Sequence, residues 1–185
     1  MPGETVGLHV FEPRYQALFN ELESMNVEEF GIPFCDNQKI WRVGATMRLV
    51  TVQKRMEGGK RDVAVTSTGL FRLKSLDEVP PHVPYPVGEV EALRDWARWP
   101  LGRACIESRD ALIREMKERD LNVSKLENQG LIRLVQHLGM DAHVRAEILS
   151  QPAVADMQRM LRERLEMMRK FIQQAPLEGD AFFVN

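Results

Sequence analysis

The sequence predicts an α+β protein in which a small β-barrel precedes a bundle of α-helices. The first half of the chain contains short segments of alternating apolar residues separated by glycine and proline turns, as is typical of strands. In the second half, apolar residues recur three and four positions apart between charged residues, as is typical of amphipathic helices. The predicted parts are a barrel subdomain at residues 1–95, a helical subdomain at residues 96–175 and a C-terminal tail at residues 176–185.

The first two elements meet in the octapeptide LHVFEPRY at residues 8–15. Its apolar residues predict a strand that ends near Phe11. Glu12 then provides a carboxylate at a helix start, and Pro13 suits the first helical position, where its missing N–H costs nothing. The helix that follows has one apolar stripe, formed by Tyr15, Leu18, Phe19, Leu22 and Met25.

The remaining strands lie between residues 30 and 93. Pro33 predicts an edge strand or a bulge, and the alternation that starts at Val43 changes parity at Val50, which predicts a bulge or bend. Residues 57–60 form a hairpin turn, and Gly69 is expected to end the strand that follows it. The last strand is predicted at residues 87–93.

Four helices are predicted after residue 100, the first at residues 101–121. Ala104, Ile106, Ala111, Leu112 and Met116 form its apolar stripe.

Ser124 and Glu127 form a capping box, which predicts a helix that runs to Leu138 and stops at Gly139. Asp141 is placed to cap the third helix. The fourth helix follows Pro152 and extends to about residue 174.

Composition limits the classes of function. The 185 residues are 44% hydrophobic and 28% charged, as in ordinary globular proteins, and no apolar run approaches the roughly 20 residues needed to span a bilayer. There is no secretory signal, and the only two cysteines, Cys35 and Cys105, form no disulfide framework, so a cytoplasmic protein is expected. The net charge of −2 argues against nucleic-acid binding.

The octapeptide also resembles a family signature. It is similar to the start of the LON substrate-binding domain, the N-terminal domain of the Lon ATP-dependent protease, which also occurs as small free-standing proteins. Further elements similar to those of the family follow in the same order: Phe30-Gly31, Val43-Gly44-Ala45, the Gly58-Gly59 hairpin, Gly69-Leu70-Phe71-Arg72-Leu73 and Pro84-Tyr85. The agreement extends from residue 3 to about residue 95 and is looser in the helical half. The resemblance implies a PUA-like pseudo-barrel followed by a helical bundle.

One family element is missing. Members usually have a further strand before the position of Pro2 and Gly3, where this sequence starts. Either the true start lies upstream, or the barrel has an open edge at residues 4–11. An open edge can pair with another chain, which predicts a dimer formed through that edge.

Residues for catalysis are not found. No serine lies in a G-x-S-x-G context, and no G-x-x-x-x-G-K-[S/T] occurs, so the Ser–Lys dyad and the ATP-driven motor of Lon are not expected in this chain. The four histidines are scattered, and neither a metal nor a cofactor is predicted. Cys35 lies in an apolar strand and is interpreted as a buried structural thiol.

Two groups of residues are candidates for contact with a partner. Lys54, Arg55, Lys60 and Arg61 surround one hairpin, and Met56 lies at its tip, although a solvated turn is the plainer interpretation. The second group is the tail pair Phe182 and Phe183, which form either an interaction site or a segment docked on the protein itself.

The family motif Phe11, Glu12, Pro13, Arg14 and Tyr15 is interpreted as structural. Glu12 would favour the helix dipole, and Arg14 would bridge to a carboxylate or carbonyl of the barrel.

Together these observations predict a non-catalytic module. By resemblance, it would bind polypeptide, either unfolded or degradation-prone protein or a component of a protease. Two alternatives stay open: a PUA-like nucleic-acid binder, and a small-ligand sensor that uses the mouth of the barrel.

Overall fold

The computed structural model describes residues 1–36, 39–77 and 83–175. The chain divides into two compact units, Met1–Arg94 and a second that begins at Asp95. The first unit is an antiparallel sheet with one helix and the second is helical, so the predicted α+β class is confirmed. No helix in the described part of the chain combines the length and the apolar character needed to cross a bilayer.

The described residues of the first unit form five strands and one α-helix: β1 (Thr5–Val10), α1 (Pro13–Glu23), β2 (Phe30–Asp36), β3 (Lys39–Arg55), β4 (Arg61–Asp77) and β5 (Val87–Ala92). The strand order is β1-β4-β3-β2, and β5 pairs with the C-terminal half of β4. The sheet does not close, so the structure is only loosely a barrel.

Register shifts interrupt the pairing of the two long strands, β3 and β4, as the alternation pattern predicts. The register between β3 and β4 shifts at Leu49/Thr51, which leaves Val50 unpaired and confirms the bulge there. The expected break at Gly69 is wrong, because β4 continues through Gly69, which pairs with Thr46 beside another register shift. The extra residue of this bulge is Thr68, and the strand continues on both sides of it.

Three elements of the family resemblance converge on one side chain, Phe71. A Cβ atom on Gly44 would lie 2.3 Å from Phe71 Cζ and 2.7 Å from the carbonyl oxygen of Ile32. A Cβ on Gly31 would lie 3.0 Å from Phe71 Cε1. Phe71 is buried. The two glycines therefore leave the space that the ring occupies.

The core of the first unit lies between α1 and the sheet. Its buried members are Val10, Phe19, Leu22, Met47, Val63 and Val65. Only Phe19 and Leu22, in the middle and last turns of α1, are buried among the predicted stripe residues, and the helix ends at Glu23. Met25 lies beyond the helix with φ 60° and is 76% exposed, and Tyr15 is also exposed.

In the second unit, the part of the chain that the structure describes forms four α-helices: α2 (Arg103–Lys117), α3 (Leu131–His137), α4 (Ala142–Leu149) and α5 (Val154–Gln174). The predicted limits of α4 and the end of α3 are confirmed. The Val144 N–H donates to Asp141 Oδ1 at 2.8 Å, and Gly139 follows α3 with φ 65°.

Three expectations for buried or helical residues are wrong. The capping box does not start a helix, because Asn122 Oδ1 accepts from the N–H and hydroxyl of Ser124 and holds a turn, and α3 begins only at Leu131. Ala104 and Ile106 lie on the exposed side of α2, whose buried residues include Cys105. Cys35 is exposed, since it lies on the edge strand β2.

Candidate functional site

The strand-to-helix junction and the hairpin, which are far apart in sequence, are neighbours in the structure. Val10 pairs with Arg61 across β1 and β4. The side chain of Gln16 donates to the Phe11 carbonyl at 2.8 Å, and its Oε1 lies 2.6 Å from where a Cβ on Gly59 would be. The hairpin turn therefore rests on the first turns of α1, beside the family motif.

Glu23 fixes the base of this hairpin to α1. Its carboxylate forms ion pairs with both Arg55 and Arg61. Arg61 also donates to Asn20 Oδ1 at 2.7 Å and to the Gly59 carbonyl at 3.2 Å. Burial alone would raise the pKa of Glu23, but the hydrogen bonds and charges of Arg55 and Arg61 outweigh it and lower the pKa below its ordinary 4.5.

The structure separates the predicted basic residues into two kinds. The side chain of Arg61 is only 6% exposed, so its prediction as part of an exposed basic patch is corrected: it ties the hairpin to the helix. The side chain of Arg55 is 63% exposed but paired with the same carboxylate. Lys54 and Lys60 are exposed, and among the described residues they have no ion pair.

The remaining partner-binding candidates differ in placement. Met56, predicted at the tip, is partly buried, and its N–H donates to the Lys60 carbonyl at 2.9 Å. Phe182 and Phe183 lie outside the described residues. A contact role for any of these residues stays a prediction.

In the family motif, charged side chains pair locally. Arg14 Nε donates to Glu12 Oε2 at 2.9 Å, and the guanidinium lies 4.6 Å from the centre of the Tyr15 ring. The prediction that Arg14 bridges to the barrel is therefore wrong, because its guanidinium pairs with the neighbouring Glu12 carboxylate instead. The Glu12 side chain accepts no backbone N–H, whereas its carbonyl accepts from Tyr15 and Gln16.

Strand β1 lies at one edge of the sheet and pairs only with β4 among the described strands. The N–H of Ser67 donates to the carbonyl of Glu4 at 2.9 Å, just before the regular register starts. Opposed residues of an antiparallel pair alternate between bonded and non-bonded positions. The residues bonded to β4 are therefore Val6, Leu8 and Val10. The main-chain N–H and C=O groups that point to the open side are those of Thr5, Gly7 and His9, all exposed residues.

The sequence predicted an open edge here, but it did not show which backbone groups are available. That choice depends on a hydrogen bond between residues 4 and 67, which only the folded sheet brings together.

The described residues contain no group of three or more His, Cys, Asp or Glu arranged to hold a metal ion. In the helical unit, a cavity of about 90 Å³ is lined by residues that include Met116, His137 and Met168. Sites for small ligands measure roughly 300–1,000 Å³, so this cavity is too small to hold one. The alternative of a small ligand at the mouth of the barrel stays a prediction.

Solved structures show the same fold. A Lon N-terminal domain protein from Xanthomonas campestris is 22% identical, with 88% of each chain covered and a TM-score of 0.59. The N-terminal domain of the Mycobacterium avium complex Lon protease is 12% identical, with 89% of this chain and 91% of that chain covered and a TM-score of 0.60. At these identities the similarity establishes the fold alone.

Among proteins of curated function, none shows significant sequence similarity. The family model of the ATP-dependent protease La (LON) substrate-binding domain matches residues 1–175, which includes both the sheet and the helices. The resemblance first seen in residues 8–15 thus extends over nearly the whole sequence, and the chain belongs to the LON substrate-binding domain family.

Proposed function

We propose that this protein is a non-catalytic module that binds extended segments of polypeptide, including unfolded chains, along the open edge of β1. The observation that carries the proposal is the row of outward main-chain groups of Thr5, Gly7 and His9 on an exposed strand. An extended peptide adds to such an edge through backbone hydrogen bonds. Because every residue type offers the same backbone groups, this mode suits a module with many clients.

The family supports this proposal in general terms, since its domain is described as substrate-binding. The two similar structures are described as Lon N-terminal domains. The sequence also lacks a G-x-S-x-G motif and a P-loop, which supports a binding role without catalysis.

Nucleic-acid binding is the weaker alternative. Of the basic residues near the junction, Arg14 pairs with Glu12, and Arg55 and Arg61 pair with Glu23. Phosphate binding would need these cations to leave their carboxylates, and the chain as a whole carries a net charge of −2.

The test replaces one outward N–H on β1. In Gly7→Pro, a client loses that hydrogen bond, and we expect the affinity for a permanently unfolded, reduced and alkylated protein to fall roughly tenfold. Fluorescence anisotropy with a labelled client measures this change. Gly7→Ala is the matched control: it keeps the N–H, and its Cβ would lie 4.0 Å from its nearest neighbour, the Val63 carbonyl.

Proline is tolerated on an edge strand when its nitrogen faces solvent, and circular dichroism with thermal melting verifies that Gly7→Pro is folded. Thr5→Pro, at the first position of β1, is a second variant with the same expected loss. Equal client binding by the wild type and both proline variants would contradict the proposal. A dimer in sedimentation that only the proline variants disrupt would assign the edge to a second copy instead.

A further inference from the structure

We infer that the β1 edge selects polypeptide segments in which apolar and polar residues alternate. This inference rests on the proposed function and adds the class of client that the same edge accepts. It follows from the different chemistry of the two faces of β1.

The inner face of β1 continues the hydrophobic core. Val6 and Leu8 lie opposite Val65 and Val63, both of which are fully buried. Leu8 is partly buried against the core, whereas Val6 is 42% exposed at its rim. A strand added beside β1 would place every second side chain on this face, about 5 Å from its neighbours. Apolar side chains of the client would cover the exposed rim of the hydrophobic core at Val6. Charged side chains at the same positions would be disfavoured, because they would lose hydration beside the core.

The outer face of β1 is polar from Thr5 to His9, and the first apolar side chain next to it is Phe11, just beyond the strand, whose ring stacks on His9 at 5.7 Å. The hydroxyl of Thr5 lies 3.3 Å from that of Thr66, and His9 Nδ1 lies 2.6 Å from Asp62 Oδ1. The side chains of His9 and Asp62 are 52% and 38% exposed. Gly7, which lies between Thr5 and His9 on this face, adds no apolar side chain. Polar side chains of a client can stay hydrated here, whereas large apolar ones would remove water from this pair.

The length of β1 limits the client segment. Its three outward residues are spaced by roughly 6.8 Å, twice the rise per residue of a strand. A matching segment therefore has about five to seven residues. Segments with this alternation form half-buried strands in folded antiparallel sheets, and they are accessible when such proteins unfold. The edge would thus distinguish unfolded from folded clients by residue pattern.

The test compares two heptapeptides of identical composition, four valines and three threonines, each flanked by lysines for solubility. In one peptide valine and threonine alternate, and in the other they form two blocks. We expect the alternating peptide to bind about fivefold more tightly, since one well-matched cross-strand pair contributes up to about that factor. Fluorescence anisotropy measures both affinities.

A charge exchange tests the assignment of the inner face. The alternating peptide should bind the Val6→Glu variant more weakly than it binds the wild type. A version of this peptide with lysine at one inner-facing position should bind the variant more tightly than it binds the wild type. Val6→Lys should show the reverse preference, for a peptide with glutamate at that position. If neither exchange changes the order of affinities, the inner-face assignment is overturned.

The possible failures are distinguishable. The two peptides could bind the wild type equally well and both lose affinity for Gly7→Pro. That result would overturn the selection of alternating segments but would leave the proposed binding at the β1 edge in place. If neither the peptides nor an unfolded protein binds, the proposed function itself fails.

Discussion

Strands β3 and β1 pair with the same strand, β4, but they differ in what they leave available. β3 has 17 residues, and in its first half residues 43–47 pair with β4 on one side and with β2 on the other. β1 has 6 residues and, among the described strands, pairs on one side only. The comparison shows that one sheet contains a closed interior and an incomplete edge. We therefore propose that client polypeptide binds at the β1 edge, where main-chain N–H and C=O groups point outward.

Replacing one glycine in each strand by alanine tests this comparison most directly, and we expect the largest change in the free energy of unfolding here. We expect Gly44→Ala to lower the free energy of unfolding by about 3 kcal/mol, because the new Cβ would overlap the Phe71 ring and the Ile32 carbonyl. Gly7→Ala should instead raise it by roughly 0.4–1 kcal/mol, since the site has room and the unfolded chain loses entropy. Urea denaturation measures both changes.

The control for Gly44 shortens its neighbour. Phe71→Leu removes the ring atoms that a Cβ would meet, so the double variant should be more stable than the sum of the two single changes predicts. Similar stabilities of Gly44→Ala and Gly7→Ala would show that β3 is no more tightly packed than β1.

Local patterns predicted much of this fold, and tertiary contacts explain the exceptions. The strand-to-helix junction, the bulge at Val50 and the Asp141 cap depend on neighbours in sequence, and the structure confirms all three. The capping box at Ser124 failed because the side chain of Asn122, two residues earlier, bonds to Ser124 and holds a turn. Such competition between local hydrogen bonds is not visible in the spacing alone.

The candidate site was predicted less completely. The sequence indicated an open edge and a basic hairpin, but Arg61 and Arg55 look alike in the sequence. Their difference arises because Arg61 lies opposite the buried Val10, beside Asn20 and Glu23 of α1. Residues 20 and 61 are too far apart in sequence for periodicity to connect them.

The two arginines give the second test, because both contact Glu23. Arg61→Met should lower the free energy of unfolding by about 2 kcal/mol, since it removes buried charge-assisted hydrogen bonds to Glu23 and Asn20. Arg55→Met should cost less than about 1 kcal/mol, because that side chain is largely exposed. Chemical denaturation of the two variants measures the difference, and equal losses would show that Arg61 does not anchor the hairpin.

The smallest effect concerns the pH dependence of the same contact. Arg55 and Arg61 lower the pKa of Glu23 in the folded state below 4.5, so on acidification the unfolded state takes up the proton first. The stabilisation is therefore fully present above pH 4.5 and is lost as the pH falls through the folded-state pKa.

Glu23→Gln lacks this titration, so the stability difference between the wild type and the variant should shrink on acidification. Denaturation curves measure that difference from about pH 7 to about pH 3, the range in which carboxylates titrate. A difference that stays constant over this range would mean that the two arginines do not hold the carboxylate in its charged form.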